Sequence, residues 1–174
     1  MERQRPEPHA HVLRPFERDE YELMRTLRLR MLEDAPDAFT VTADSERGRP
    51  MSWWRDRLAS ADADPKRLVL VAWNDGEPAG SALGVMDAFD PTLSHLYALW
   101  VDPAARRLGI ATALTEAIFA WARDRGAAAI ELSVTIGNDG AVRLYEQLGF
   151  SDTGEREPLR PGSELRLMKM RAKL

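Results

Sequence analysis

One stretch concentrates the chemistry this chain can do: Leu99-Trp100-Val101-Asp102-Pro103-Ala104-Ala105-Arg106-Arg107-Leu108-Gly109-Ile110-Ala111-Thr112-Ala113-Leu114. An apolar run ends at Val101, Pro103 marks a turn, and a helical period begins close to Gly109. The first amides of such a helix have no internal partners and the macrodipole makes that end electropositive, so it suits an anion such as a pyrophosphate. Gly109 lets phosphate oxygens approach the main chain without meeting a Cβ, and Ala111 is nearly as small. Arg106 and Arg107 can add charge-assisted hydrogen bonds, although paired arginines also occur as solvated basic turns. Two other phosphate loops fit worse: Gly-Lys-Ser/Thr is absent, and Gly109-Ile110-Ala111 is not followed by the third glycine of a dinucleotide fingerprint.

The elements that must hold this turn are readable from periodicity. A short strand over residues 11–15 precedes a helix over 19–33, where Leu23, Leu27 and Met31 recur at helical steps. Asp34-Ala35-Pro36-Asp37 breaks it, and a polar connection runs to Gly48-Arg49-Pro50. A second helix, opening at Met51 or Ser52, carries Trp53, Trp54 and Leu58. Strand-like runs cover 67–73, 78–86 and 93–101, the first two joined through Asn74-Asp75-Gly76 as an antiparallel hairpin. Ala111, Leu114, Ile118 and Trp121 or Ala122 form a helical stripe stopped by Gly126. A strand over 130–135 leads to a helix capped by Asn138 or Asp139 and carrying Ala141, Leu144 and Leu148; final strands cover 150–154 and 165–170.

In these residues the chain resembles the GNAT superfamily of acyl-CoA-dependent N-acyltransferases. The signature of Arg or Gln, two residues, Gly, one residue, then Gly or Ala stands as Arg106-Arg107-Leu108-Gly109-Ile110-Ala111, after a strand ending in Val101-Asp102-Pro103. A second motif follows in order: Asn138, Ala141 and Leu144-Tyr145-Glu146-Gln147-Leu148-Gly149-Phe150. The match covers Leu96 to Phe150. It implies an α/β (α+β) fold, a mixed and mostly antiparallel twisted sheet of about seven strands with about four helices, and a splayed parallel pair at the cofactor site. The resemblance further implies that acetyl-CoA lies between the strand ending at Val101 and the strand 130–135, with Trp100 and Val101 beside its arm. Its pyrophosphate would meet the amides of Arg107, Leu108, Gly109, Ile110, Ala111 and Thr112, with the Arg106 side chain alongside, and Asn138 and Ala141 would contact the arm. The Val101 amide, freed by a bulge, would donate to the thioester carbonyl.

The implied reaction is acetyl transfer to a primary amine, by direct attack through a tetrahedral intermediate. An amine of pKa near ~10 must lose a proton first, so a base is required, and the departing thiolate requires an acid. Tyr145 occupies the family's acid position; read without the motif, it is a half-buried helix aromatic. Relatives carry a glutamate on the strand before the bulge, but Ser94-His95-Leu96-Tyr97-Ala98-Leu99 holds no carboxylate. His95 and Tyr97 share a face there and either could relay a proton, with Glu131 and Ser133 as further candidates. The missing carboxylate also leaves open a non-catalytic acyl-CoA-binding sensor. On the acceptor side, Glu33, Asp34, Asp37, Phe39, Trp53, Trp54, Asp87 and Asp90 combine acids with aromatics, as a cationic amine would require.

Length and charge bound these readings. The sequence has 174 residues, with 24 Lys plus Arg against 28 Asp plus Glu (24 − 28 = −4) and no Cys. One domain over 1–174 is expected, with residues 1–10 as a loose lead-in. Without cysteine there is no thiol nucleophile and no Cys-zinc or iron–sulfur site, and no metal is expected. The beginning lacks a signal-peptide core and no window is apolar enough to span a bilayer, so a cytoplasmic protein with no membrane partner is expected. Mild acidity argues against nucleic acid, a homodimer is expected only from family habit, and the partner is a small-molecule or peptide amine.

Overall fold

Asp75 and Gly76 both have positive φ, 52° and 81°, the conformation that a two-residue hairpin turn of the right twist demands. They join β2 (Arg67–Asn74) to β3 (Glu77–Met86), as Asn74-Asp75-Gly76 predicts. The computed structural model describes residues 11–174, and the expected lead-in over 1–10 lies outside them. The remaining elements are β1 (Val12–Pro15), α1 (Tyr21–Asp34), α2 (Ala43–Arg47), α3 (Met51–Ala63), β4 (Leu93–Val101), α4 (Ile110–Asp124), β5 (Ala129–Thr135), α5 (Asp139–Gln147), β6 (Ser151–Pro158) and β7 (Arg166–Lys173). Short 3-10 turns occupy Pro36–Ala38 and Pro103–Ala105. The strands form one sheet in the order β1-β2-β3-β4-β5-β7-β6, antiparallel throughout except for β4 beside β5.

Each face of this sheet is covered for a reason visible in the sequence. The stripe Ile110, Leu114, Ile118, Trp121 and Ala122 of α4 is buried against Ala82, Met86, Leu96, Ile130 and Leu132. On the opposite face Met24, Leu27 and Met31 of α1 and Trp54 and Leu58 of α3 bury Val71 and Trp100. α1 stops where Ala35 precedes Pro36, since the residue before proline is steered out of the helical region.

Two elements differ from expectation. α2 was read as polar connection; its five residues bury only Glu46, and it forms because Thr42 and Ser45 cap each other's backbone amides. β6 runs to Pro158 instead of stopping at Gly154, and all its side chains are exposed, so a polar edge strand lacks the alternation by which strands are recognised. Phe150, expected to open it, is buried ahead of it.

Gly80 sets how closely β3 and β4 approach. A Cβ there would meet the Trp100 carbonyl oxygen at 2.7 Å and the Val101 Cα at 3.4 Å, both main-chain atoms that cannot rotate away. Gly80→Ala is therefore expected to lower stability by about 1–3 kcal/mol, as overpacking does. A fall in the urea midpoint without a change in slope checks it.

Candidate active site

The parallel pairing of β4 and β5 lasts only three rungs, Leu93↔Ala129, Ser94↔Ile130 and His95↔Glu131. β4 then continues to Val101 and β5 to Thr135 without pairing to each other, so a gap opens between them. A bulge helps to turn β4 away: Leu83 pairs with Tyr97 and Ser81 with Trp100, leaving Ala82 opposite both Ala98 and Leu99. Ala98 sits at φ 50°, a conformation uncommon for a residue with a Cβ. Asp102 donates its amide to the Ala79 carbonyl at 2.8 Å, so by strand alternation the main chain of Val101 faces the gap rather than β3.

The turn from Val101 to α4 stands at the mouth of this gap. Gly109 caps α4 at φ 84° and Arg107 also lies at positive φ, 64°. A Cβ on Gly109 would meet nothing within 4 Å, so the space above the first amides of α4 is open. The two arginines have separate fates. Arg106 turns back, its Nε donating to the Val101 carbonyl at 3.2 Å and its guanidinium pairing with Asp34. Arg107 is exposed and makes no ion pair among the described residues, so it is the side chain left to meet an anion. Ile110 is buried beneath the turn, and Leu108, Ala111 and Thr112 are half-buried around it. Asp102, buried, caps the 3-10 turn through the Ala104 amide and pairs with Arg30. Arg30 and Asp34 thus tie the end of α1 to this turn. The side chain of Trp100, a residue 5% exposed, packs on the α1 face and donates to Asp34 at 2.8 Å, which leaves its main chain as the part beside the gap.

α5 packs Ala141, Val142, Tyr145 and Leu148 against the core on the α4 side of the sheet. The Asn138 side chain accepts from the Ala141 amide at 3.3 Å, so it caps the helix and keeps its own amide hydrogens available. Tyr145 packs edge-on to Phe150 with ring centroids 5.7 Å apart, within the cluster formed by α4. Burial raises its hydroxyl to about 12, so it is protonated at neutral pH.

His95 and Tyr97 project from the other face, the one covered further along by α1 and α3. The His95 Nε2 lies 2.8 Å from Asp87 Oδ2. The Asp87 carboxyl is held well below its usual range, first by His95 and then by the Phe89 and Asp90 amides, so it is ionised and Nε2 carries the proton. The Nδ1 lone pair of His95 is then free to accept one. Tyr97 stacks on His95 at 5.7 Å, and burial together with the charges of Asp87, Glu131 and Glu157 raises its hydroxyl, which keeps it protonated at neutral pH and without a phenolate to accept a proton. Glu131, the residue paired with His95 across the strands, is engaged by Arg171 at 3.5 Å, and Ser133 is exposed. The Asp87 partnership was not legible in the sequence, because it depends on the β3–β4 loop folding back onto β4.

Most of the acids and aromatics expected to cage a cationic amine already have partners within the chain. Glu33 pairs with Arg47, Asp34 with Arg106 and Trp100, Asp87 with His95, and Asp90 accepts from Thr92. The Asp37 carbonyl accepts from Thr135 Oγ1 at 2.5 Å. Arg49 and Arg57 stack on Trp53, Arg28 on Phe39, and Trp54 is buried. Asp37 alone of these acids keeps a carboxylate without a partner among the described residues, and a single exposed acid does not make a cage.

The site thus combines a half-splayed sheet, a helix terminus with open amides at the mouth of the split and a histidine–aspartate pair on the far face. Residues 28–150 match the model of the Acetyltransferase (GNAT) family, and the chain belongs to that family. It is 30% identical over 149 residues to the mycothiol acetyltransferase of Kocuria rhizophila, covering 82% of this chain and 46% of that protein. The chain therefore spans less than half the length of this curated relative. Among solved structures, a GNAT-family acetyltransferase from Streptococcus pneumoniae superposes at TM-score 0.78 with 20% identity, covering 95% of this chain and 100% of that one. YncA of Salmonella typhimurium, solved with its cofactor acetyl-CoA, superposes at 0.70 with 21% identity over 95% and 94%. No helix among the described residues is long and apolar enough to cross a membrane.

Proposed function

We propose that this chain transfers the acetyl group of acetyl-CoA to a primary amine on a small molecule or peptide, by direct attack. The observation that supports the reading is the gap between β4 and β5, with Tyr145 on the α4 side of the sheet and His95, at the last rung before the gap, on the α1 side. A thioester and an amine can meet across such a gap without sharing an entrance. The donor set fits acetyl-CoA: open space over Gly109, unpaired helix amides and the free guanidinium of Arg107 suit the pyrophosphate. Bound there, acetyl-CoA supplies the activated acyl carbon.

The roles follow from position. His95 Nδ1 takes the ammonium proton of the acceptor, while Asp87 fixes the ring and stabilises the imidazolium. The Val101 amide, facing the gap, stabilises the oxyanion of the tetrahedral intermediate. Tyr145 returns a proton to the thiolate. Asn138 and Ala141 line the arm of the cosubstrate at the start of α5.

Acetyl-CoA at 100 times its dissociation constant is expected to stabilise the protein by about 2.7 kcal/mol, with no effect of ATP or NAD. Thermal unfolding with each ligand tests the binding, and thiol release with a panel of amines tests the transfer. Absence of stabilisation by acetyl-CoA overturns the reading. Stabilisation with no turnover of any amine would instead identify a sensor of acyl-CoA.

A further inference from the structure

A cavity of about 80 Å³ lies between α1, α3 and the sheet, on the same face as His95. Its floor is apolar, from Leu27, Met31, Trp54, Val69, Leu83 and the bulge residue Ala98. Its charged lining is of one sign: Arg28, Arg57 and Arg67. Two of these are matched, Arg28 by Glu46 at 2.9 Å and Arg67 by Asp64 at 3.2 Å. Arg57 makes no ion pair or hydrogen bond among the described residues; it stacks on Trp53 at 5.0 Å. Desolvation, and the charges of Arg28, Arg67 and Arg49, hold its guanidinium below the ordinary arginine value, with Glu46 opposing them. It remains a cation, since arginine does not lose its proton in proteins.

The sheet register fixes how this cavity stands to the reacting centre. Arg67 pairs with Val85 and Val85 with His95, so these three side chains stand in one row on one face. In the next row Val69 pairs with Leu83 and Leu83 with Tyr97. Two strand spacings separate Arg67 from His95, about 10 Å. Leu83 and Val85, between them, are only half-buried, so the path along the sheet is open.

Building on the acetyl-transfer reading, we propose that the acceptor carries a carboxylate which docks at Arg57 and Arg67, about 10 Å from the amine that lies at His95. The guanidinium fork matches a carboxylate in plane and charge. The apolar floor accommodates the carbon chain between the two ends. Specificity on this face is therefore for an anion-bearing amine, in contrast to the cationic amine that the acidic and aromatic residues suggest in the sequence.

The matched pair ω-aminooctanoate and its primary amide reaches this span and differs only in the charge. Wild-type protein is expected to favour the carboxylate by about tenfold or more in kcat/KM, the difference lying in KM. Arg57→Gln is expected to bring the ratio close to one, whereas Arg55→Gln, an exposed α3 arginine that pairs with Asp56 and does not line the cavity, leaves it unchanged. Equal rates with the two acceptors, a preference that survives Arg57→Gln, or turnover of neither while other amines are acetylated overturns the proposal. Thermal stabilisation by acetyl-CoA, measured on the same samples, reports separately on the transferase reading: its loss in wild-type protein sinks that reading, and its presence confines any failure to the acceptor.

Discussion

Replacing His95 by alanine lowers turnover at neutral pH by a hundredfold or more, within the ~10²–10⁴ that a positioned general base contributes, while stabilisation by acetyl-CoA persists. The expectation rests on the lone pair at Nδ1, which is set by Asp87 accepting from Nε2 at 2.8 Å. Asp87→Asn tests the same arrangement from the other side. An amide in place of the carboxylate no longer fixes the tautomer, so a smaller loss of turnover follows. Tyr97→Phe keeps the stacking at 5.7 Å and is expected to retain most activity. Measuring kcat/KM against pH for the three variants decides the matter: an unaltered profile in His95→Ala removes the histidine from the mechanism.

Tyr145→Phe is expected to lower turnover tenfold or more with little change in acetyl-CoA affinity, because it deletes one hydroxyl and leaves the ring against Phe150. A phenol at about 12 is a weak acid for a thiol of ordinary pKa near ~8.5. The dry surroundings that raise the phenol also raise a departing thiolate, since each would place an anion in the same slot, and this brings the two together. The same shift has a signature in stability. A group with a raised folded pKa contributes stability that is fully present below its unfolded value and lost as pH rises through the folded one. The wild-type protein should therefore lose stability between about pH 10 and about 12 that Tyr145→Phe retains. Chemical denaturation across that range, compared between the two proteins, checks it; identical curves would show that the hydroxyl is solvated.

The parts of this molecule legible in the sequence are those fixed by local rules. Gly109 at positive φ before a stripe of Ile110, Leu114 and Ile118 reads as a helix start wherever it occurs. The Asp75-Gly76 turn, likewise, needs only its own two residues. What escaped were features that belong to the sheet as a whole. Strict alternation from His95 puts Tyr97, Leu99 and Val101 on one face; the extra residue at Ala98 reverses the parity, so Trp100 turns to α1 while Leu99 and Val101 turn to α4. A period-two reading cannot see an inserted residue. The pairing of Arg106 with Asp34, and of His95 with Asp87, needs segments brought together by the fold, so neither partnership is visible from local spacing. α2 escaped for a different reason: five residues held by a cap leave no hydrophobic stripe.

α1 reaches both halves of the proposed reaction. Arg28 lines the acceptor cavity, and Arg30 and Asp34, within two turns of it, grip the phosphate turn through Asp102 and Arg106. A rod that rises 1.5 Å per residue cannot shift at one of these points and stay still at the other. On the acetyl-transfer reading proposed above, any coupling carried by α1 is reciprocal: whatever factor acetyl-CoA applies to the affinity for the acceptor, the acceptor applies to acetyl-CoA.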